Sequence, residues 1–130
     1  MYQVRQGLIV AITAAVAIVA IPDRAMAEST GWVDGHQFET ATDRLSRGRK
    51  LLHTIRCKAG DKVGQTWANT LLSLTYGENP QKIRWYVAWG DRVEVEDRRL
   101  KKSGYTMVSH DSFRRKSGLR IRCAIWYKTR

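Results

Sequence analysis

The first apolar stretch of the chain, a run rich in Ala, Val and Ile, covers Gly7–Ile21. Arg5 precedes this run, and Pro22 ends it. Small residues then follow in the segment Ala25–Ala27. A positive charge, an apolar run and a small-residue site in this order are typical of a secretory signal peptide. The pattern therefore predicts that residues 1–27 are a signal peptide and that cleavage occurs after its last alanine.

A transmembrane anchor is the alternative for the same run. Its fifteen residues fall short of the roughly 20 that are needed to cross a bilayer core. The residue after the predicted cleavage site is Glu28, not the cysteine that a lipid anchor requires. We therefore predict a periplasmic or secreted protein whose mature form has no membrane span.

Apolar positions at helical spacing predict the first helix of the mature chain. Phe38 and Leu45 share one helix face, and Gly48 follows at a position typical of a C-terminal capping glycine. We predict a helix over residues 37–47. The polar segment 28–36 ahead of it is predicted to be flexible.

Alternating polar and apolar positions predict a strand directly after this helix. Leu51–Cys57 alternates, which places Cys57 and His53 on its apolar face. The segment Thr66–Tyr76 fits a helix face and a strand face equally well. Its structure therefore stays open.

The second half of the chain has a clearer periodicity. Lys82–Trp89 alternates strongly and predicts a strand. Asp91 with Glu94 three residues later has the pattern of a capping box, which predicts a helix that ends before Gly104. Two further strands, joined into a hairpin by a basic turn, are predicted over Tyr105–Phe113 and Leu119–Lys128.

This order of elements predicts an α+β fold in which a small antiparallel sheet carries two or three helices on one face. Each helix precedes a glycine and two strands, a pattern that is compatible with two αββ units, the first enlarged by residues 58–80. Residues 37–130 are predicted to form a single basic domain, since this length supports one modest core.

The two cysteines of the chain, Cys57 and Cys123, both lie in the predicted mature part. In an exported protein an even number of cysteines favours a disulfide. A free thiol pair and a zinc site are the alternatives, but the chain has no Cys-x-x-Cys motif. The predicted bridge closes a loop of about 67 residues. In the chain-entropy model it stabilises the folded state by about 4 kcal/mol.

The chain carries a formal charge of +11. Removal of the signal peptide takes away two arginines and one aspartate, so the 103 residues that remain carry +10. An excess of this size attracts anions. Outside the cytoplasm the anions of the cell envelope are the nearest partners, so the charge favours binding to an envelope polymer.

Strand periodicity also predicts a basic and aromatic surface on the face of the sheet opposite the cysteines. Arginine binds phosphates and carboxylates through paired hydrogen bonds, and aromatic rings offer stacking surfaces. The alternative is an ordinary solvated sheet face, on which arginine is common. The candidate binding residues are Arg56, Arg84, Tyr86, Arg114, Arg115, Lys116, Arg120, Arg122, Trp126 and Lys128.

The leading functional prediction is a noncatalytic binding domain that engages an anionic envelope polymer or an acidic partner protein. A small secreted hydrolase, ribonuclease-like or acting on an envelope polymer, is the alternative, with His53 and His110 as candidate acid and base. The sequence has no nucleophile motif, metal-ligand cluster or phosphate-binding glycine loop. We therefore predict no catalytic residue, no metal and no cofactor.

Overall fold

The computed structural model describes residues 27–61 and 69–128. The predicted signal peptide, apart from its last residue, lies outside the described residues. Within the described ranges no helix is long and apolar enough to cross a membrane. The elements are β1 (Glu28–Ser29), β2 (Val33–Asp34), α1 (Gly35–Arg47), β3 (Leu51–Ala59), β4 (Thr70–Gly77), β5 (Trp85–Gly90), α2 (Val93–Lys102), β6 (Tyr105–Arg114) and β7 (Arg120–Lys128).

The strands form two antiparallel sheets and not the single sheet that the sequence predicts. In sheet 1, β4 is central and pairs with β3 on one edge and with β1 and β2 on the other. In sheet 2, β7 is central and lies between β5 and β6. The α+β class is confirmed, but the two helices of the described part are not on one face of a common sheet.

Most of the segment 28–36, which the sequence predicts to be flexible, lies along the edge of β4, and its last two residues begin α1. Glu28 lies opposite Tyr76, and Val33 lies opposite Leu72. Between these pairs, the Thr30 backbone N–H donates to a β4 carbonyl at 3.0 Å. The segment is therefore held by backbone hydrogen bonds, which a polar composition alone does not reveal.

Two helix–strand–strand units are present, with one difference from the predicted assignment. α2 is followed by the paired strands β6 and β7, as predicted. α1 is followed by β3 and β4, which pair with each other. The sequence pattern assigns the strand 82–89 to the first unit, but the corresponding β5 belongs to sheet 2. The open segment 66–76 supplies β4 from Thr70 onward.

The two helices begin in different ways. α1 has a full capping box, in which the Asp34 carboxylate accepts from the Gln37 N–H at 2.9 Å and the Gln37 side chain accepts from Asp34 N–H at 3.0 Å. α2 begins one residue later than predicted. Its N-cap is Arg92, which makes no side-chain capping bond, so the predicted capping role of Asp91 is wrong.

Two β-bulges change which side chains face the interior. The pairing of β3 with β4 shifts at His53, so this side chain is exposed and not on the apolar face as predicted. The pairing of β6 with β7 shifts at Val108. Met107 therefore packs beneath α2, whereas Ser109 and Asp111 turn toward sheet 1.

The main core lies between the sheets and beneath α1. It joins Phe38 and Leu45 of α1 to buried side chains of β3, β4 and β7. The disulfide between Cys57 and Cys123 crosses this core, with a Cα–Cα distance of 6.4 Å. The predicted bridge is thus confirmed, and it links β3 of one sheet to β7 of the other.

The sheets also meet along the free edge of β3, where side chains take the place of a neighbouring strand. Two backbone N–H groups of β3 donate to side chains of β6, and one carbonyl of β3 and the carbonyl of the residue just before it accept from aromatic side chains of sheet 2. The bonds are Ile55 N to Ser109 Oγ at 3.1 Å, Cys57 N to Asp111 Oδ2 at 3.1 Å, Trp85 Nε1 to Lys50 O at 2.7 Å, and Tyr127 OH to Leu52 O. We call this contact the β3 edge.

Candidate functional site

The ten predicted binding residues do not lie on one surface. Periodicity assigns them to a common outer face, but the sheets are separate and α2 covers the outer side of sheet 2. The residues are therefore divided among the rim of α2, the β6–β7 turn, sheet 1 and the β4–β5 loop.

Trp126 faces away from the main core, as predicted, but it is not exposed. Its side chain is fully buried beneath Val93 and Leu100 of α2. The indole Nε1–H donates to Asp97 Oδ1 at 2.8 Å, which satisfies the one polar atom of the ring. The prediction of Trp126 as a surface aromatic is wrong, because a helix covers this face.

The neighbours of Trp126 are engaged with the rim of α2. Tyr86 is 38% exposed, and Arg99 lies over its ring at 5.5 Å. Arg122 pairs with Glu94 at 3.3 Å. Arg120 donates to a serine hydroxyl of β6 at 3.0 Å. The contacts of Tyr86 and Arg122 join α2 to the sheet, whereas the bond of Arg120 lies within sheet 2.

The β6–β7 turn contains a structural arginine. Arg115 donates to Asn69 O at 3.2 Å and to the Thr70 hydroxyl, so it ties the turn to the start of β4 in the other sheet. Its guanidinium also lies 5.4 Å from the centroid of Phe113. Arg114 bonds to a carbonyl of its own turn, and Lys116 is exposed. Lys128 donates to a carbonyl at the end of α2.

The outer face of sheet 1 retains the predicted combination of basic and aromatic groups. Arg56 and Lys58 are exposed and alternate with buried residues of β3. Trp32, which is 40% exposed, lies beside both cations, at 4.3 Å from Lys58 Nζ and 5.7 Å from Arg56 Cζ. Thr54 and Thr75 share a hydroxyl hydrogen bond of 2.6 Å on β3 and β4. We call these five residues the basic sheet face.

A second basic feature is a cavity of about 500 Å³ beside the C-terminal end of α1. Four cationic side chains from two separate segments line it, together with two aromatic residues. No Asp or Glu is among the described residues that line it. The residues are Arg49, Lys50, Lys82, Arg84, Trp85 and Tyr105, and we call this cavity the basic pocket.

The backbone at this pocket places two cations in left-handed conformations. Arg49 and Lys82 both have φ of 56°, and they are the two non-glycine residues of the described chain with positive φ. The helix therefore ends with its left-handed residue at Arg49, one position after the predicted glycine Gly48, whose φ is −77°. Asn79 fixes the second segment through two hydrogen bonds of 2.9 Å to the backbone of Ile83.

One cation of the basic pocket has a carboxylate partner. Lys50 Nζ donates to Glu78 Oε2 at 2.6 Å, and this hydrogen bond raises the pKa of Lys50 above its usual value of 10.5. The ammonium group therefore stays charged at neutral pH. Arg49, Lys82 and Arg84 have no ion pair with any residue that the structure describes.

The histidines of the alternative hydrolase prediction lie in different surroundings. His53 is exposed beside Gly77 of sheet 1. His110 lines a cavity of about 290 Å³ beneath α2, and the nearby Asp97 is already bonded to the Trp126 indole. The structure does not bring the two imidazoles together as an acid–base pair.

Among the candidate binding residues, the sequence prediction includes only Arg56 and Arg84 of these two surfaces, and four of the residues that it missed show why. Trp32 lies in the segment that is predicted to be flexible, so its pairing with sheet 1 is not visible from composition. Arg49 and Lys50 lie just outside predicted elements, and Lys82 is the first residue of a predicted strand; at such positions cations are common and carry no distinctive pattern. The turn residues Asn79 and Pro80 are the one sequence signal near this site.

No protein-family model, curated protein or solved structure matches this chain. Function is therefore inferred from the geometry and charge of these surfaces alone.

Proposed function

We propose that the protein is an exported, noncatalytic binding domain that engages an anionic polymer of the cell envelope through the basic sheet face. The observation that supports this proposal is the exposed position of Arg56 and Lys58 beside Trp32, on a sheet face without a covering helix in the described chain. Arginine and lysine attract the charges of the polymer, and the indole and threonine groups offer apolar and hydrogen-bonding contacts.

The spacing of these groups suits an extended ligand. Alternate residues of a strand point to the same side, about 7 Å apart. Arg56 and Lys58 are therefore two neighbouring cations along one line, and Trp32 contacts both. A linear polymer with repeated negative charges can contact the three side chains in succession, whereas a single small anion cannot use the whole face.

The distribution of carboxylates favours the same surface. Five ion pairs join acidic residues to cations elsewhere, on the two helices, at Lys50 and at Arg122. No described carboxylate pairs with Arg56 or Lys58. The net positive charge is therefore available on this face, where it raises the local concentration of anionic polymers.

The test compares retention of residues 28–130 on immobilised heparin with that of the variant Arg56→Gln/Lys58→Gln. We expect the variant to elute at lower salt. The plot of log K against log salt should become less steep by about 2, because two anion contacts are lost. Trp32→Ala should weaken binding with little change in this slope, since it removes a contact without removing charge.

The matched control is Arg98→Gln/Lys102→Gln, which removes the same charge from exposed positions of α2. Equal shifts in the two double variants would show that net charge alone retains the protein on heparin, and the proposal would be wrong. Elution of the unaltered protein at low salt would equally contradict it. Capture of an acidic envelope protein without heparin retention would replace the polymer by a protein partner.

A further inference from the structure

The basic pocket has a different shape and composition from the basic sheet face, and the two share no residue. Arg49 and Lys50 follow the last turn of α1, whereas Lys82 and Arg84 belong to the β4–β5 loop. The fold thus brings four cations from distant segments to one cavity of about 500 Å³. We propose that this pocket binds a phosphomonoester carried on a sugar.

The backbone at Arg49 and Lys82 is the strongest indication of a ligand. Side chains with a Cβ are disfavoured at φ of 56°, and glycine or asparagine is usual there. Both positions nevertheless carry long cationic side chains, and both line the same pocket. Strained conformations of this kind are concentrated at ligand-binding sites, where the side chain is needed in spite of its cost to stability.

The loop and helix end are fixed, so the side chains start from defined positions. The N–H of Arg49 donates to Ser46 O and that of Lys50 to Leu45 O, each at 3.0 Å. These bonds occupy the backbone donors at the helix end. The backbone N–H groups of Arg49 and Lys50 are therefore not available to an anion in the pocket, and at this side of the pocket recognition depends on side chains.

The number of cations favours phosphate over carboxylate. A phosphomonoester carries a charge of about −1.5 to −2 at pH 7 and has three acceptor oxygens. Arg49 and Arg84 can each donate two parallel hydrogen bonds, and Lys82 adds a point charge. Lys50 shares its charge with Glu78, so the remaining three cations match a dianion more closely than a monoanion.

The aromatic residues of the pocket indicate what carries the phosphate. Trp85 is held by the 2.7 Å hydrogen bond from its Nε1 to Lys50 O. Tyr105 lines the same cavity, and Lys128 Nζ lies 5.2 Å from the centroid of its ring. Fixed aromatic side chains present apolar surface with a polar edge. A sugar ring, apolar on its faces and polar at its hydroxyl groups, fits this combination.

The test is calorimetric titration of residues 28–130 with glucose 6-phosphate, inorganic phosphate, sulfate and glucose. We expect glucose 6-phosphate to bind most tightly, then phosphate, and glucose not to bind. In the variant Arg49→Gly/Lys82→Gly the affinity for glucose 6-phosphate should fall by more than about tenfold, because two charged donors are lost. Its melting temperature should stay equal or rise, since glycine relieves both left-handed positions.

If the glycine variant loses affinity while its melting temperature stays equal or rises, Arg49 and Lys82 have a binding role. If they had a structural role, the melting temperature would fall. The charge-preserving variant Arg49→Lys/Lys82→Arg should keep binding, and the Trp85 indole N–H signal should shift on titration in the NMR spectrum. The control Arg98→Gln/Lys102→Gln should bind normally.

Three results would overturn the proposal. Glucose 6-phosphate could bind no better than glucose, the glycine variant could bind glucose 6-phosphate with unchanged affinity, or the glycine variant could have a clearly lower melting temperature. Arg56→Gln/Lys58→Gln should keep its affinity for glucose 6-phosphate. The pocket and the sheet-face proposal can therefore fail separately.

Discussion

At the scale of single residues, Asp97 joins α2 to sheet 2. Its carboxylate accepts the Trp126 indole N–H at 2.8 Å and lies 3.2 Å from Lys101 Nζ. The hydrogen bond from Trp126 lowers the pKa of Asp97 below its usual 3.8; burial opposes this shift, and Lys101 adds to it. The side chain thus contributes both a partner for a buried donor and a charge that depends on pH.

Replacement of Asp97 separates these two contributions. Asp97→Ala leaves the buried Trp126 N–H without its acceptor, and we expect a loss of about 1–3 kcal/mol in the free energy of unfolding. Asp97→Asn keeps an acceptor and removes the charge, so its loss should be smaller at pH 7. Urea unfolding of the two variants and of the unaltered protein measures both values.

The pH dependence of the Asp97→Asn effect follows from the lowered pKa. A carboxylate whose pKa is lower in the folded state stabilises the fold above its unfolded pKa, and this stabilisation disappears as the pH falls through the folded pKa. The difference between Asp97→Asn and the unaltered protein should therefore shrink below about pH 4. A difference that stays constant from pH 7 to pH 2 would show that the charge of Asp97 does not contribute.

Trp126 shows what periodicity predicts about a residue and what it does not. The alternation of β7 correctly places Trp126 on the face opposite Cys123. It does not say which element covers that face. Alternation is a local property of one strand, whereas the packing of α2 over this face depends on the tertiary fold. Arg56 and Tyr86 are on the outer faces of their strands for the same reason, and they stay exposed because Trp32 and Arg99 cover them only in part.

At the scale of elements, the beginning of α2 differs from that of α1. α1 has a capping box, whereas Arg92 at the N-cap of α2 makes no side-chain hydrogen bond. We expect Arg92→Ser to raise the free energy of unfolding by about 0.5–1 kcal/mol, because a serine hydroxyl accepts from the open N–H groups of the first turn. Midpoints of urea unfolding measure the gain.

The matched control places the same residue in the body of the helix. Arg98→Ser changes an exposed position of α2 and should bring no gain, since serine is a poorer helix former than arginine. If Arg92→Ser is no more stable than the unaltered protein, the geometry at residue 92 does not allow the capping bond.

The extents of most elements follow from the sequence because they depend on local periodicity and capping. Both helices and the hairpin of β6 and β7 are found within a few residues of their predicted bounds. The bulges at His53 and Val108 have no glycine or proline to mark them. The division into two sheets depends on which strands pair over long separations, and local pattern carries no information on that choice.

At the scale of the whole molecule, the disulfide spans 66 residues of sequence and joins the two sheets. We expect Cys57→Ala/Cys123→Ala to lower the free energy of unfolding by about 4 kcal/mol, because the unfolded chain is no longer cross-linked. For a domain of this size the melting temperature should fall by more than about 15 °C. A reducing agent should have a similar effect on the unaltered protein and none on the variant; equal melting temperatures of the two proteins would contradict the expectation.

The sequence predicts the candidate sites only in part, because their full composition depends on which distant segments of the chain meet in the folded molecule. The sequence indicates a strong positive charge and exposed basic strand positions such as Arg56. It does not indicate that the end of α1 and the β4–β5 loop meet. The basic pocket arises because these two segments line one cavity, to which Arg49 and Lys82 contribute from separate turns with no common motif.

The β3 edge bears on how copies of this protein behave at high concentration. A strand with free N–H and C=O groups along one edge is a template for strands of neighbouring molecules, and such edges start aggregation. Here the hydroxyl of Ser109 and the carboxylate of Asp111 accept from two N–H groups of β3, and Tyr127 and Trp85 donate to the carbonyls of Leu52 and of Lys50 just before the strand. An incoming strand would have to displace all four side chains, so the edge of β3 is closed to intermolecular pairing while the two sheets remain together.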